Sequence, residues 1–199
     1  LIFVEVALMR EMPDAIATVL DGHRSDDDAP PTTAVFYSIS NCQDGLKGIS
    51  FGNFLLKQVV EDLAKDVSSL RTFVTLSPVP SFARWVDRAL ASGSDIPISS
   101  ADREALSRLR DPRWVEDATK DAPGAEEIRS ALMGLAAYYF LVARSSDDRP
   151  VDQVARFHLG NGARLERLNW LADTSEKGLR EAHGLMVNYR YDLAEIERN

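Results

Sequence analysis

Apolar positions along the chain recur with two periods, and their alternation predicts a mixed α/β fold. Runs rich in β-branched and aromatic residues, typical of strands, lie at 1–8, 34–40 and 73–77. A short helix is predicted at 15–20, and an amphipathic helix over 53–64, where apolar residues return at three- and four-residue intervals. Strand, loop, helix and strand in this order predict a parallel, right-handed crossover between the second and third runs.

The second half of the chain predicts several helices followed by two more strands. Helical periodicity covers 82–90, about 101–110 after a Ser99 or Ser100 cap, 126–143 and 151–159. The segment 164–173 alternates imperfectly and 184–193 alternates well, so both are predicted as strands. We expect one domain over 1–199, with a helical insertion at about 91–145.

Composition narrows the classes of partner and site. With 199 residues, of which 45% are hydrophobic, the chain can bury a substantial core. A net charge of −8 argues against nucleic acid as the general partner, and the longest apolar run, 131–143, is too short for a membrane helix. Cys42 is the only cysteine, and the three histidines are scattered without ligand spacing. We therefore expect neither an internal disulfide nor a metal site.

The chain opens with Leu1 inside an apolar run, with no methionine and no signal peptide. That opening predicts a strand already under way. We expect the sequence to be an excerpt that lacks its own start, together with any targeting segment.

A glycine-containing loop leads from the strand at 34–40 into the following helix. Backbone N–H groups and the helix dipole favour an anion there, and glycine allows a pyrophosphate to approach the backbone. The loop lacks the Gly-Lys-Ser/Thr ending of a P-loop and the GxGxxG pattern, so an ordinary tight turn stays equally open. The predicted cofactor-binding residues are Gln43, Gly45, Lys47, Gly48, Ser50, Phe51, Gly52 and Asn53.

The strand at 73–77 ends in Ser77-Pro78-Val79-Pro80. Two prolines cannot continue a central ladder, so we expect the chain to leave the sheet there and to splay from its parallel neighbour. A thioester arm in such a gap is the coenzyme A binding mode of the GNAT acyltransferase fold. The phrase from Phe157 to Arg164 also resembles the helix, Asn-Gly turn and strand that lead into the last hairpin of that superfamily.

More specifically, the chain resembles the C-terminal catalytic domain of malonyl-CoA decarboxylase. The matching blocks, in the family's order, are 36–40, 52–57, 76–82, 154–163, 167–173 and 184–191. The resemblance implies a GNAT-like acyl-CoA-binding fold, with a central mixed sheet, splayed parallel strands and flanking helices. It implies conversion of malonyl-CoA to acetyl-CoA and carbon dioxide, with no cofactor besides the coenzyme A that the substrate carries.

The resemblance also implies a larger protein. Members pair this domain with an N-terminal helical domain and assemble as homo-oligomers, and neither nucleic acid nor a membrane is an expected partner. The Asp-, Arg- and Ala-rich composition favours a bacterial cytoplasm, whereas eukaryotic members occupy organelles.

The same resemblance places a catalytic serine and histidine at Ser77 and His158, and a nearby tyrosine at Tyr191. Animal members carry a glutamate at the position of Ser50. Because imidazole titrates near neutrality, His158 is the expected donor of the proton that the thioester enolate needs. Ser77 then orients either the malonyl carboxylate or the ring, and the sequence leaves open which group touches the carboxylate.

Two alternative functions are also compatible with these residues. A GNAT-family acyltransferase needs a base beside an acceptor amine, and a silent acyl-CoA-binding module needs no chemistry. From composition alone, Tyr189 and Tyr191 pack in a core, and surface or hydrogen-bonded roles are expected for His23 and His183. Ligand phosphates or surface ion pairs are the two alternatives for Arg156, Arg164, Arg167 and Arg190.

Overall fold

The computed structural model describes residues 2–21, 29–41, 52–91, 94–120 and 122–192. These residues form one six-stranded mixed sheet flanked by helices. The strands are β1 Ile2–Met9, β2 Thr33–Asn41, β3 Thr72–Thr75, β4 Ser77–Pro78, β5 Arg164–Asn169 and β6 Met186–Tyr191. The helices are α1 Ile16–Leu20, α2 Gly52–Asp66, α3 Phe82–Leu90, α4 Ser100–Ser107, α5 Trp114–Thr119, α6 Ala125–Leu141, α7 Gln153–Gly160 and α8 Glu176–Ala182.

The sheet contains the predicted parallel crossover. β2 is antiparallel to β1 along its whole length and parallel to β3, with Thr33 opposite Thr72 and Phe36 opposite Thr75. Helix α2 makes the connection between the two parallel strands. On the far side, β6 is antiparallel to β3, β4 and β5. The α/β class and the mixed central sheet are thus as predicted.

β3 and β4 are two parts of a single strand. Val74 faces Arg190 in β3 and Ser77 faces Val187 in β4, so the register is unchanged across the break. At the break, side chains replace the ladder bonds: the Tyr189 N–H donates to Thr75 Oγ1 at 3.2 Å, and Asn188 Nδ2 donates to the Thr75 carbonyl at 2.8 Å.

The predicted exit from the sheet at Ser77 is therefore only half right. The strand formed by β3 and β4 does separate from β2, because the pairing between β2 and β3 ends at Phe36 and Thr75. β2 continues beside β1 to Asn41. The strand formed by β3 and β4 stays on β6, however, through Pro78. A proline is compatible with this position because β4 lies at the end of the sheet order, where a missing N–H costs no ladder bond.

The two faces of the sheet bury separate sets of side chains, as the two-residue period of a strand requires. Helices α2, α3, α6 and α7 cover one face, where the buried residues include Leu56, Phe73, Val86, Leu135, Ala155 and Val187. The opposite face is smaller and buries Val19, Val35, Val74, Leu76, Ala172 and Met186. His158 approaches the sheet from the larger, helix-covered face.

Most helices agree with the sequence pattern, and two were not predicted. α3 has the predicted bounds, and Ser99 caps α4 by accepting a hydrogen bond from the Asp102 N–H at 3.0 Å. The unpredicted helices are α5 and α8. β5 ends at Asn169, four residues before the predicted strand end, because Leu171 adopts a positive φ of 47° in the turn that follows.

Helix α6 packs into the main core through residues such as Leu132 and Tyr139. The interpretation of about 91–145 as an insertion stays a prediction. Within the described ranges, no helix combines the length and the apolar character that crossing a membrane requires.

Candidate functional site

Ser77, His158 and Tyr191 meet in one hydrogen-bonded chain. Ser77 Oγ lies 3.1 Å from His158 Nε2, and Tyr191 OH lies 2.8 Å from His158 Nδ1. The serine and the histidine are 81 residues apart in sequence, and the histidine and the tyrosine are 33 apart. The predicted convergence of hydroxyl and imidazole is therefore present, and the tyrosine joins them on the other ring nitrogen.

Strand periodicity and the position of α7 bring the three groups together. Tyr189 and Tyr191 project from β6 on the helix-covered face, and Ser77 lies opposite Val187 on that same face. Above them, α7 buries Ala155 and His158, three residues apart on one side of the helix. The position of α7 on this face thus places His158 within hydrogen-bonding distance of the Ser77 hydroxyl.

Both ends of α7 are fixed. Asp152 caps the first turn, where its Oδ1 accepts a hydrogen bond from the Ala155 N–H at 2.7 Å. At the other end, the N–H groups of Asn161 and Ala163 donate to the His158 carbonyl. Asp152 is itself buried and also accepts from the Tyr139 hydroxyl at 3.3 Å, and burial raises the pKa of its carboxyl group. The helix holding the histidine is thus tied to α6.

Burial determines the charge of the site. Ser77, His158 and Tyr191 are 5%, 4% and 3% exposed. Because burial disfavours a cation, it lowers the pKa of His158 from 6.5 to about 4, and burial raises the pKa of the Tyr191 hydroxyl. The expectation that this imidazole titrates near neutrality is therefore wrong: the ring is neutral at neutral pH, with one N–H to donate.

Thr75 is a member of the site that the sequence reasoning missed. The Ser77 and Thr75 hydroxyls are hydrogen-bonded, with their oxygens 2.8 Å apart, and Thr75 is completely buried. One signal could have found it. Residues two apart in a strand share a face, so a hydroxyl at position 75 lies beside one at position 77 wherever the strand is regular.

The two tyrosines of β6 play different parts. Tyr189 stacks on the imidazole, with ring centroids 4.6 Å apart and an interplanar angle of 23°. Its hydroxyl has no hydrogen-bond partner among the described residues. Tyr189 therefore contacts the histidine through ring packing, which is the role that composition predicted. Tyr191, in contrast, is hydrogen-bonded to the histidine.

A second polar network lies behind the site, on the opposite face of the sheet. Asn188 Oδ1 accepts from Asn169 Nδ2 at 2.8 Å and from Arg167 Nε at 3.2 Å. The Arg167 guanidinium also donates to the backbone carbonyls of Met12 and Pro13. Arg167 therefore links β6 to the segment that contains Met12 and Pro13. Arg164 and Arg190 instead form ion pairs with Glu166.

The remaining predicted positions divide into two groups. Gln43, Gly45, Lys47, Gly48, Ser50 and Phe51 lie outside the described residues, as do Cys42 and His23, and Gly52 and Asn53 begin α2. His183 is half-buried near the Trp114 ring, and its Nε2 has no hydrogen-bond partner in the described ranges, so the surface or hydrogen-bonded role stays a prediction. Among the described residues, no group of three or more His, Cys, Asp or Glu side chains could hold a metal ion.

Comparison with known proteins identifies relatives along the whole chain. The family model of the malonyl-CoA decarboxylase C-terminal domain matches residues 1–199. Mitochondrial malonyl-CoA decarboxylase of Anser anser anser is 35% identical over 216 residues, which cover 100% of this chain and 43% of that protein. The crystal structure of malonyl-CoA decarboxylase from Agrobacterium vitis is 59% identical with a TM-score of 0.90, covering 100% of this chain and 48% of that one. The chain thus spans less than half the length of these relatives.

A more distant structure identifies the fold. The loading GNATL domain of CurA from Lyngbya majuscula superposes with a TM-score of 0.53 at 14% identity, covering 96% of this chain and 70% of that domain. At this identity the likeness concerns the fold alone. The prediction of a GNAT-like architecture is confirmed.

Proposed function

The chain belongs to the malonyl-CoA decarboxylase family, and we propose that the protein containing it converts malonyl-CoA to acetyl-CoA and carbon dioxide. The reaction makes it a carboxy-lyase. The substrate itself carries the coenzyme A, and its thioester accepts the electrons that the leaving carboxylate releases, so no further cofactor is proposed.

One observation carries the proposal: the 3.1 Å contact between Ser77 Oγ and His158 Nε2, in a site that is almost closed to water. When the carbon–carbon bond to the carboxylate breaks, its electron pair moves into the thioester and carbon dioxide leaves. The enolate that remains is stabilised by hydrogen-bond donors that are already in place. Such donors act more strongly at a buried site, because water does not compete for the developing charge.

The enolate must then take a proton at its α-carbon, and the Ser77–His158–Tyr191 chain supplies it. The neutral imidazole has one N–H, and the Tyr191 hydroxyl, 2.8 Å from Nδ1, can replace the proton that the ring gives up. Solvent returns a proton to the Tyr191 oxygen as the product leaves, so each turnover consumes one solvent proton and the resting histidine is neutral. Catalysis by positioned acids of this kind contributes roughly 10² to 10⁴ in rate.

For the coenzyme itself we propose the segment 43–53, which ends with the first two residues of α2. Gln43, Gly45, Lys47, Gly48, Ser50, Phe51, Gly52 and Asn53 form the proposed pyrophosphate loop. Support comes from its place in the chain, directly after β2 and at the N-terminus of a 15-residue helix, where free N–H groups favour an anion. Position 50 is a serine in this chain, so no carboxylate is assigned a role there.

A direct assay separates the proposed activity from its rivals. The intact purified protein is incubated with malonyl-CoA and no acceptor, and acetyl-CoA and carbon dioxide are measured. We expect both products in equal amounts. A strict requirement for an acceptor amine would instead identify an acyltransferase, and binding of malonyl-CoA without turnover would identify a binding module.

Assembly and compartment are part of the same proposal. We propose a homo-oligomer, formed together with an N-terminal helical domain, in a bacterial cytoplasm. The higher identity to the Agrobacterium vitis protein than to the goose protein, 59% against 35%, supports the bacterial origin. Size-exclusion chromatography with light scattering on the intact protein tests the oligomeric state.

A further inference from the structure

A cleft of about 500 Å³ opens on the face of the sheet opposite to His158. Its apolar walls include Val19, which is buried in the smaller core cluster, and Ala7 and Met9, which pack against that cluster. The volume is within the range of about 300 to 1,000 Å³ that is typical of small-molecule sites. The proposed reaction does not use this cleft, because its residues lie on the helix-covered face.

Arg167 lines the same cleft, and all of its hydrogen-bond partners are neutral. Its Nε donates to the side-chain oxygens of Asn169 and Asn188 at 2.6 and 3.2 Å. Its Nη2 donates to the carbonyls of Met12 and Pro13 at 3.0 and 2.8 Å. Among the described residues, no carboxylate oxygen lies within 4.0 Å of this guanidinium, and its Nη1 has no hydrogen-bond partner.

A half-buried guanidinium without a counter-ion favours an anion. Neutral oxygens satisfy its N–H groups but do not neutralise the positive charge, and burial makes an uncompensated charge costly. Arg10 supplies a second guanidinium to the lining, and Glu11 and Asp14 line the cleft as exposed side chains that do not pair with Arg167. In a protein with a net charge of −8, attraction for an anion must come from such a local site.

We propose that this cleft binds a fatty carboxylate of medium length, with its carboxylate on Arg167 and its alkyl chain against the apolar walls. A carboxylate matches the planar fork of a guanidinium and supplies the missing negative charge. A purely apolar ligand would leave the charge uncompensated, and an inorganic anion would leave the walls in contact with water. The proposal is independent of the proposed decarboxylation.

Isothermal titration calorimetry of the intact protein with octanoate tests the proposal. We expect a one-to-one complex with a Kd between about 10 µM and 1 mM, in keeping with a ligand of roughly ten non-hydrogen atoms. Octanamide has the same chain without the charge, and it should bind at least about tenfold more weakly. Because part of the affinity is electrostatic, binding of octanoate should also weaken as the salt concentration rises.

A matched pair of variants locates the binding. Ala7→Leu adds three carbons inside the cleft and should weaken octanoate binding at least about tenfold. Ala17→Leu makes the same change at an exposed position of α1 outside the cleft, and the affinity should stay within about twofold of the wild type.

A third variant tests the charge. Arg167→Gln removes the guanidinium and keeps an amide that can donate to the Met12 and Pro13 carbonyls. It should bind octanoate and octanamide with similar affinities. If this variant does not fold, the comparison of the two ligands on the wild type and the Ala7→Leu variant still decide the proposal.

Three results would overturn the proposal: no binding of octanoate to the intact protein, equal binding of octanoate and octanamide to the wild type, or full affinity in folded Ala7→Leu. Saturating acetyl-CoA should leave the octanoate affinity unchanged, and competition between the two would place octanoate in the thioester site instead. The proposed function fails separately, if malonyl-CoA is not decarboxylated, and the binding results for the cleft stand in that case.

Discussion

The side-chain amide of Asn188 donates to the backbone carbonyl of Thr75 at 2.8 Å, in the gap where the ladder between β3 and β6 is interrupted. Asn188 is completely buried and lies 113 residues further along the chain. Its carbonyl oxygen takes hydrogen bonds from Asn169 and Arg167 on the opposite face. One amide thus connects the strand that carries the Thr75 and Ser77 hydroxyls to the polar network behind them.

Asn188→Ala should therefore destabilise the fold strongly. The substitution leaves the Thr75 carbonyl and the Asn169 amide buried without this partner, and we expect a loss of about 3 kcal/mol in the free energy of unfolding. Urea denaturation measures it. Gln58→Ala, at an exposed amide that donates to Asp62 within one helix, is the matched control and should cost under about 0.5 kcal/mol. Similar losses in the two variants would contradict this role for Asn188.

Ser77→Ala and His158→Gln should each lower kcat for malonyl-CoA by at least roughly a hundredfold, because each removes a member of the chain that we propose delivers the proton. The double variant should lose little more than either single variant, since the two groups act as a unit. Ser107→Ala is the control, at an exposed serine whose hydroxyl donates to the Glu104 carbonyl. Single variants that retain near-normal turnover would refute the assignment.

Tyr191→Phe removes the hydroxyl from Nδ1 of His158 and keeps the ring that packs in the core. We expect roughly a tenfold loss in kcat, smaller than for His158→Gln, because the imidazole and its own N–H stay in place. Tyr138→Phe, at a half-buried tyrosine of α6, is the control. A loss in stability without any loss in turnover would show that Tyr191 serves packing alone.

Stability should rise with pH through the titration of His158. Burial lowers the pKa of this residue from 6.5 to about 4, so between these values the unfolded chain binds more protons than the folded one. Stability from this source is present above 6.5 and is lost as the pH falls toward 4, by roughly 3 kcal/mol at most. The raised pKa of Asp152 acts in the opposite sense just above 3.8.

The measurement is urea denaturation at several values between pH 5 and pH 7, where Asp152 interferes least. His158→Gln removes the titrating group and should give a visibly flatter dependence than the wild type. Parallel curves for the two proteins would mean that the histidine is not the source.

Two glycines in helices should respond to alanine in opposite directions. A Cβ at Gly178 would collide with the backbone carbonyl oxygen of Asp173, whereas nothing lies within 4 Å of one at Gly134. We expect Gly178→Ala to cost about 2 kcal/mol and Gly134→Ala to add roughly 0.5 to 1 kcal/mol. Thermal unfolding of both variants checks this, and a stabilised Gly178→Ala would disprove the close approach of α8 to the turn before it.

The sequence predicted the fold where one face of an element is continuously apolar. Strands β2 and β6 and helix α3 have that pattern, and each was found within two residues of its predicted bounds. Helices α5 and α8 escaped prediction because only Trp114 and Ala118 are buried in the first and only Ala182 in the second. So few buried positions do not establish a helical period.

Part of the candidate site was predicted from the family resemblance and not from the hydrophobic pattern. Ser77 and His158 were found through a family resemblance, and their meeting depends on how β4 and α7 pack, which no local pattern encodes. Thr75 and Asn188 belong to the same assembly because of contacts across 113 residues. Burial, which lowers the pKa of His158, is also a property of the folded chain, and for that reason the expected titration near neutrality was wrong.

The register of β6 has a consequence for engineering. Its pairing with β3 and β4 keeps one alignment, in which Val187, Tyr189 and Tyr191 all lie on the face beneath α7. Sliding β6 by one position would present Arg190 to the imidazole and send the aromatic rings to the far side of the sheet. Gain or loss of a residue can be absorbed in the turns around α8 but not inside β6, where it would exchange the two faces of the strand.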